Sequence, residues 1–327
     1  MVLHYSGSPE YHYKPLKHNL GEEIRPIVLY AGEPLDNLVC DIIVVSLADR
    51  PAYEAVSYTW ANTKGDASLT SVISCRGKGI AITKNCEAAL QRLRLQNRSR
   101  RLWIDAICIN QNDTSEKNHQ VRLMSRIYTN AWQVLAYLGV KPDQVTNGLQ
   151  RIISYLKDEN SAVSGASSTK EYLQGLLGAA YFDRIWILQE IGLSQSVTLI
   201  IRAYEVRWTG AVISKTLDLC FAFGVQPPSV LRWKPASRPE EEKDILAVLS
   251  KSRNFSATNP RDKVYALLGL THPEFSIQFP IDYSLSPSEV FTKLAVHCIE
   301  GMGRFDVLQH CYHVPGSREL NSRRTAT

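Results

Sequence analysis

The first third of the chain is built of short apolar runs broken by turn residues. Residues 26–30, 39–47 and 53–58 read as strands, separated by Gly32-Glu33-Pro34 and Asp49-Arg50-Pro51. Residues 71–75 and 79–83 flank Arg76-Gly77-Lys78, a hairpin signal in which glycine supplies the positive φ of a tight turn. The period then changes. Cys86, Ala89, Leu90 and Leu93 fall at i, i+3, i+4 and i+7, so they share one buried helix face.

Leu102-Trp103-Ile104-Asp105 is a compact apolar strand ending on a carboxylate, and residues 134–138 form another about thirty positions later. Between them Asp113 and Glu116 have capping-box spacing, and Val121, Met124, Ile127 and Tyr128 make an inward stripe. Strand, helix, strand at this interval predicts a parallel crossover and hence an α/β sheet. After Gly139 the pattern becomes mainly helical, interrupted by a serine-rich loop over residues 160–169. Residues 182–193 read as a short helix, and 196–202 with 205–208 as a hairpin. A proline-rich loop follows over residues 226–242. Asn259-Pro260 and Ser286-Pro287-Ser288-Glu289 both look like helix starts, because proline at the first helical position loses no hydrogen bond. The predicted organisation is an α/β domain over residues 20–210 and a mainly helical extension over 211–327.

Composition adds bounds rather than a function. With 327 residues, 44% apolar and 21% charged, the chain can bury a substantial core and is unlike a disordered protein. A net charge of +5 does not by itself indicate a nucleic-acid partner. Seven scattered cysteines with no Cys-x-x-Cys pair argue for reduced, buried thiols rather than a disulfide framework or zinc ribbon. The N-terminal residues lack the basic start and apolar core of a secretory signal, and no apolar run reaches the roughly 18 residues that cross a bilayer. A cytoplasmic protein without a membrane span is the expectation.

Local chemical signatures are sparse. Phosphate-binding glycine loops, His-Glu-x-x-His and Gly-x-Ser-x-Gly are all missing from the sequence. His310, Cys311 and His313 fall short of a tetrahedral ligand set, so no metal site is expected. The run Arg92, Arg94, Arg98, Arg100 and Arg101 has no interleaved aromatic platform and reads as a solvated helix end. Cys108, between Ile107 and Ile109, reads as a structural thiol rather than a nucleophile.

Two segments stand out: Tyr53-Glu54-Ala55-Val56-Ser57-Tyr58-Thr59-Trp60 and Leu102-Trp103-Ile104-Asp105-Ala106-Ile107-Cys108-Ile109-Asn110-Gln111. In order and spacing they resemble the fungal heterokaryon-incompatibility domain. Its pattern runs Tyr-Glu-Ala-Leu-Ser-Tyr-x-Trp-Gly, then Leu-Trp-Ile-Asp-Ala-x-Cys-Ile-Asn-Gln. Arg184-Ile185-Trp186-Ile187-Leu188-Gln189-Glu190 and residues 259–269 agree with it as well, and the resemblance covers roughly residues 10–312. Ala61 departs from it, at a position where the family usually has glycine.

The resemblance implies a role in non-self recognition that triggers programmed cell death. A more distant similarity, to Toll/interleukin-receptor (TIR) domains, implies a flavodoxin-like sheet with flanking helices. Some of those domains cleave NAD with a glutamate in a tryptophan-x-x-x-glutamate segment. On that similarity Glu190 is the catalytic carboxylate, Trp60 and Trp103 are candidates for stacking on a ring, and Asp105 for a polar contact at a strand's carboxyl end. No bound cofactor is required; NAD enters as substrate. Asp105 could equally cap the following loop, and Trp103 and Trp186 could be core. The alternative function is a non-enzymatic assembly module, with a second copy of the chain or an unidentified incompatibility protein as partner.

Overall fold

The computed structural model describes residues 9–17, 21–62, 65–139, 147–157, 167–233 and 240–310. Among them are eleven strands. β1 (Glu23–Ile24) and β4 (Val45–Ser46) pair as a small antiparallel ribbon. The others are β2 (Ile27–Leu29), β3 (Val39–Ile42), β5 (Glu54–Ser57), β6 (Ser71–Cys75), β7 (Lys78–Ile82), β8 (Arg100–Trp103), β9 (Val134–Tyr137), β10 (Val197–Ile201) and β11 (Tyr204–Arg207). They form one mixed sheet in the order β11-β10-β9-β5-β8-β2-β3-β6-β7. The helices are α1 (Lys84–Leu93), α2 (Asp105–Cys108), α3 (Thr114–Asn130), α4 (Asn147–Lys157), α5 (Ser167–Leu177), α6 (Ile187–Glu190), α7 (Gly210–Phe223), α8 (Ile245–Ser252), α9 (Asp262–Tyr265), α10 (Pro273–Gln278) and α11 (Pro287–Val296).

Four neighbouring strands, β8, β5, β9 and β10, run parallel. Taken in chain order they lie second, first, third, fourth across the sheet, so the chain reverses its direction of travel at β5. The two signature segments are therefore adjacent strands, with Glu54 opposite Leu102 and Ala55 opposite Trp103. Sequence and burial agree with position. All five residues of β10 are buried, as a strand covered on both faces requires. β6 alternates buried and half-buried residues, and β7 buries only Ile80 and Ile82. The hairpin joining β6 and β7 closes through Arg76 and Gly77, both at positive φ (51° and 75°), which matches the twist of the flanking strands.

Helix α1 buries the four residues its periodicity selects, and Thr83 caps it by accepting the Cys86 N–H at 3.1 Å. The capping box expected at α3 forms by half. The Asp113 side chain accepts the Glu116 N–H at 3.0 Å, but the Glu116 carboxylate does not return to the cap. It receives both Arg25 guanidinium nitrogens at 2.5 and 2.7 Å, and the Asn110 N–H at 2.6 Å. Desolvating a guanidinium is costly unless a carboxylate accompanies it, so this pair takes precedence over a helix-end amide. The box at Ser286 and Glu289 is complete, with Pro287 at the first helical position.

Two expected elements are corrected. The strand read over residues 39–47 splits at Ile43, whose N–H donates to the Pro26 carbonyl at 3.1 Å; β3 stays in the large sheet and β4 leaves it for β1. The helix read over residues 182–193 is reduced to a 3₁₀ turn (Ala180–Asp183) and the single turn of α6. Between them Arg184 is extended, with ψ 133°, because this stretch pairs with Ser256: the Ile185 N–H donates to the Ser256 carbonyl at 2.8 Å. Tertiary pairing overrides helical periodicity here.

One continuous cluster of buried side chains runs from Ile24 to Val307 and crosses position 210 without interruption. No helix among the described residues is long and apolar enough to cross a membrane. The serine-rich stretch, and Cys311 with His313, lie mostly or wholly outside the described residues.

The Arg25–Glu116 pair is almost fully enclosed, with side chains 1% and 2% exposed. Arg25→Ala, which strands the carboxylate, is expected to cost about 3–5 kcal/mol in urea unfolding, and Arg25→Met/Glu116→Leu to recover most of that. A loss below about 1 kcal/mol for the single variant would show that the pair is not effectively buried.

Candidate functional site

The carboxyl end of β5 is where the polar members of the signature segments meet. Ser57, the last residue of β5, donates its hydroxyl hydrogen to Glu190 Oε2. Its oxygen lies 2.6 Å from the Tyr181 hydroxyl. Because the single Ser57 hydrogen is committed to the carboxylate, Tyr181 is the donor in that second bond. Arg184 closes the other side of Glu190 with two parallel bonds, Nη1 to Oε2 at 3.0 Å and Nη2 to Oε1 at 2.9 Å. A relay Tyr181→Ser57→Glu190←Arg184 thus joins the central strand to the irregular segment after α5.

Asp105 opens α2 directly beyond β8. Its Oδ2 accepts the Trp60 indole N–H at 2.9 Å and its Oδ1 accepts the Ala106 N–H at 2.8 Å, while its carbonyl accepts from Gln111 at 3.0 Å. It therefore caps the following turn and also joins the ends of the two signature strands. Burial, and next the negative charge of Glu190, push the Asp105 carboxyl up to about 6; Arg184, the Trp60 N–H and the Ala106 N–H oppose the rise. For Arg184 burial works against the charge, but Glu190 overrides it and the guanidinium is held more firmly protonated than usual. One cation thus faces two carboxylates.

The four residues expected from the sequence separate accordingly. Glu190, Asp105 and Trp60 converge on the carboxyl end of the parallel strands. Trp103 does not. It is fully buried on the strand, edge-on to Tyr128 with ring centroids 5.7 Å apart, and offers no free face to a ligand. Its place is in the core. Trp186 donates its indole N–H to Asp262 at 3.0 Å. Ser57, Tyr181 and Arg184 are the members not anticipated. Ser57 lies inside the first signature segment and Arg184 opens the stretch 184–190, and being polar beside a strand end or a candidate carboxylate was the available signal.

Other sequence candidates resolve into structure. Cys108 is buried, its sulfur accepts the Ile104 N–H at 3.2 Å, and burial pushes the thiol up to about 12, far from a reactive thiolate. From the basic run, Arg92 donates to Ala203 O and to Glu205, Arg94 to the carbonyls of Asn37 and Asp36, and Arg100 to Glu54. Arg92, Arg94 and Arg100 are thereby engaged by the fold, while Arg98 and Arg101 are exposed. No group of three or more His, Cys, Asp or Glu suited to a metal ion occurs among the described residues. An apolar void between β10 and helices α4, α5 and α7, lined by Leu138, Ile152, Leu173 and Leu199, has no convergent polar groups and lies apart from the carboxylates.

Residues 53–190 match the heterokaryon incompatibility protein (HET) family, from the residue before β5 to Glu190 itself. The chain is also 32% identical over 338 aligned positions, 80% of its length, to heterokaryon incompatibility protein 6, OR allele, of Neurospora crassa. This chain belongs to the heterokaryon incompatibility family. It spans about half (49%) of that curated relative. No solved structure matches it.

Asp105 gives the site a pH signature. Its folded-state value of about 6 exceeds the ordinary 3.8, so the folded protein binds this proton more readily than the unfolded chain. The stability it contributes is complete below about pH 4 and is lost as the pH rises through about 6. Asp105→Asn keeps an acceptor for Trp60 and removes the titration. Its unfolding free energy relative to the unsubstituted protein is expected to rise by about 1–3 kcal/mol between pH 4 and pH 7. A difference independent of pH would show that Asp105 is well solvated.

Proposed function

We propose that this protein acts in fungal non-self recognition as a cytosolic trigger of programmed cell death, and that the Ser57–Glu190–Arg184 cluster, with Asp105 and Trp60, is a site for cleaving NAD. The role in incompatibility follows from the family and from the name of the Neurospora relative. The chemistry rests chiefly on one observation: Glu190, oriented by Arg184 and Ser57, is drawn to the carboxyl end of the central parallel strand within the field of Asp105.

Three arguments support this reading. The second-first-third-fourth order of the parallel strands is that of flavodoxin-like sheets, to which TIR domains also belong, and such sheets bind ligands outside their carboxyl ends where the order reverses. Two carboxylates against one guanidinium leave an excess of negative charge, which suits the cationic nicotinamide ring and the oxocarbenium-like ribose formed as it leaves. The half-buried Trp60 ring, pinned through its N–H to Asp105, is a fixed apolar surface beside that charge. In the reaction the bond from ribose C1′ to the nicotinamide nitrogen breaks, with its electron pair leaving on nitrogen. Water adds at C1′, and its proton passes to solvent. Glu190 stabilises the positive ribose centre.

A second reading is favoured by the burial of Glu190, which is 1% exposed with both oxygens bonded. In that reading the cluster is a structural cross-link, and death signalling comes from assembly with a second copy or with an incompatibility partner. Incubation of purified protein with NAD, at concentrations that permit oligomers, separates the two. Nicotinamide release that falls about a hundredfold or more in Glu190→Gln, with the thermal transition retained, is the expected result. Intact NAD together with undiminished cell killing by Glu190→Gln removes the enzymatic reading and leaves assembly.

A further inference from the structure

Glu190 ends a segment with almost no regular structure of its own. It is preceded by an extended Arg184 and sits at the end of one helical turn, in which its N–H donates to the Trp186 carbonyl at 3.1 Å. A single turn is unfavourable in isolation, with a nucleation constant on the order of 10⁻³. Its position must therefore be imposed from outside.

Ser57 bonds the carboxylate itself, and the contacts imposed on the rest of the segment come from residues 256–269, beyond the family match that ends at residue 190. Ser256 pairs with both sides of the segment start, its N–H on the Asp183 carbonyl at 2.5 Å and its carbonyl on the Ile185 N–H at 2.8 Å. Asp262 Oδ2 accepts the Trp186 indole N–H at 3.0 Å, and its other oxygen accepts the Tyr283 hydroxyl at 2.6 Å. Asp262 is itself set by Asn259, whose carbonyl accepts the Asp262 N–H at 2.9 Å. Gln189, the neighbour of Glu190, donates to the Ala266 carbonyl at 2.8 Å. At Gly269 an added Cβ would come within 2.4 Å of Ser125 Cβ on α3 and 3.0 Å of Gln189 Oε1. That backbone lies flush against both elements, which only glycine permits.

We infer that residues 259–269 are the positioning element of the Arg184–Glu190 pair, acting through Asp262 on Trp186 and through Ala266 and Gly269 on Gln189. This rests on the reading of Glu190 as the working carboxylate. Asp262 is a positioning residue, since it bonds the indole four residues before Glu190 and reaches the site through it. The functional unit accordingly extends well past residue 190.

The test uses the full chain with Asp262→Ala, the conservative Asp262→Asn, and Trp186→Phe, which removes the indole donor while keeping an aromatic ring. Hydrogen exchange by mass spectrometry is followed in peptides covering residues 181–193 and, as a remote control, 71–82. Asp262→Ala and Trp186→Phe are expected to speed exchange about tenfold in 181–193 and to leave 71–82 unchanged. In the NAD assay kcat should fall about tenfold with KM within about twofold, and Asp262→Asn should restore most of it. Unchanged exchange in 181–193, an equal rise in 71–82, or loosened exchange with an unaltered kcat overturns the inference. If Asp262→Ala does not fold, Trp186→Phe reads the same bond from its other end. Should the unsubstituted protein release no nicotinamide, the NAD reading fails by itself, while the exchange measurement still decides whether residues 259–269 hold the segment.

Discussion

A guanidinium taken out of water has to bring its counter-charge with it, and the central sheet is organised by three places where this happens. Arg25 and Glu116 tie the start of β2 to α3 and to the loop after β8. Arg100 and Glu54 join β8 to β5 at their amino ends, and Gln133 and Thr198 extend that network to β9 and β10 through bonds of 2.6 and 3.1 Å. Arg184 and Glu190 join the carboxyl end of β5 to the segment after α5. Each pair links parts of the chain that local propensity alone would leave independent, and losing one partner costs more than the pair contributes, which makes the arrangement specific.

These networks give the sheet two unlike ends. At the amino end the Glu54 carboxylate has both Arg100 and Gln133 as donors, and the ladder closes on itself. At the carboxyl end a single guanidinium serves Glu190 while Asp105 has only neutral N–H donors, from Trp60 and Ala106. Burial first, and then the negative charge of Glu190, raise the Asp105 carboxyl, which sets this end apart from a network whose charges are balanced. Parallel strands add to it, because the loops that follow them gather on the same side.

Much of this architecture was legible in the sequence. The periods of two and 3.6 give β6, β7, α1 and α3, and the strand, helix, strand spacing over β8, α3 and β9 gives the parallel direction of those two strands, although β5 lies between them. Glu190, Asp105 and Trp60 were singled out by the resemblance to known families, and of the three only Asp105 also by its place at the end of an apolar strand. Periodicity failed wherever a distant partner outbid the local one. Glu116 reads as half of a capping box until Arg25 reaches it. Residues 182–193 read as a helix until Ser256 pairs with Arg184 and Ile185. Trp103 reads the same whether it lines a cleft or fills a core, since the tryptophan pattern along a strand does not say which face is covered. The spacing of the arginines likewise records charge and omits the carbonyls and carboxylates that receive Arg92, Arg94 and Arg100.

The continuity of the buried cluster across position 210 bears on what a functional unit is in this fold. A boundary drawn where strands give way to helices separates elements by type, but the packing does not follow that line. Gly269 meets Ser125 on α3, Asp262 meets Trp186, and the Tyr283 N–H donates to the Asn118 side chain at 2.9 Å, so the later helices rest on the same helix and the same irregular segment that border the carboxylates. A carboxylate at the end of one helical turn has little intrinsic reason to stay in place, because so short a helix gains less from its own hydrogen bonds than it loses in backbone entropy. Its geometry can be no more precise than the surface it leans on. In this protein that surface is contributed by residues some seventy positions further along the chain.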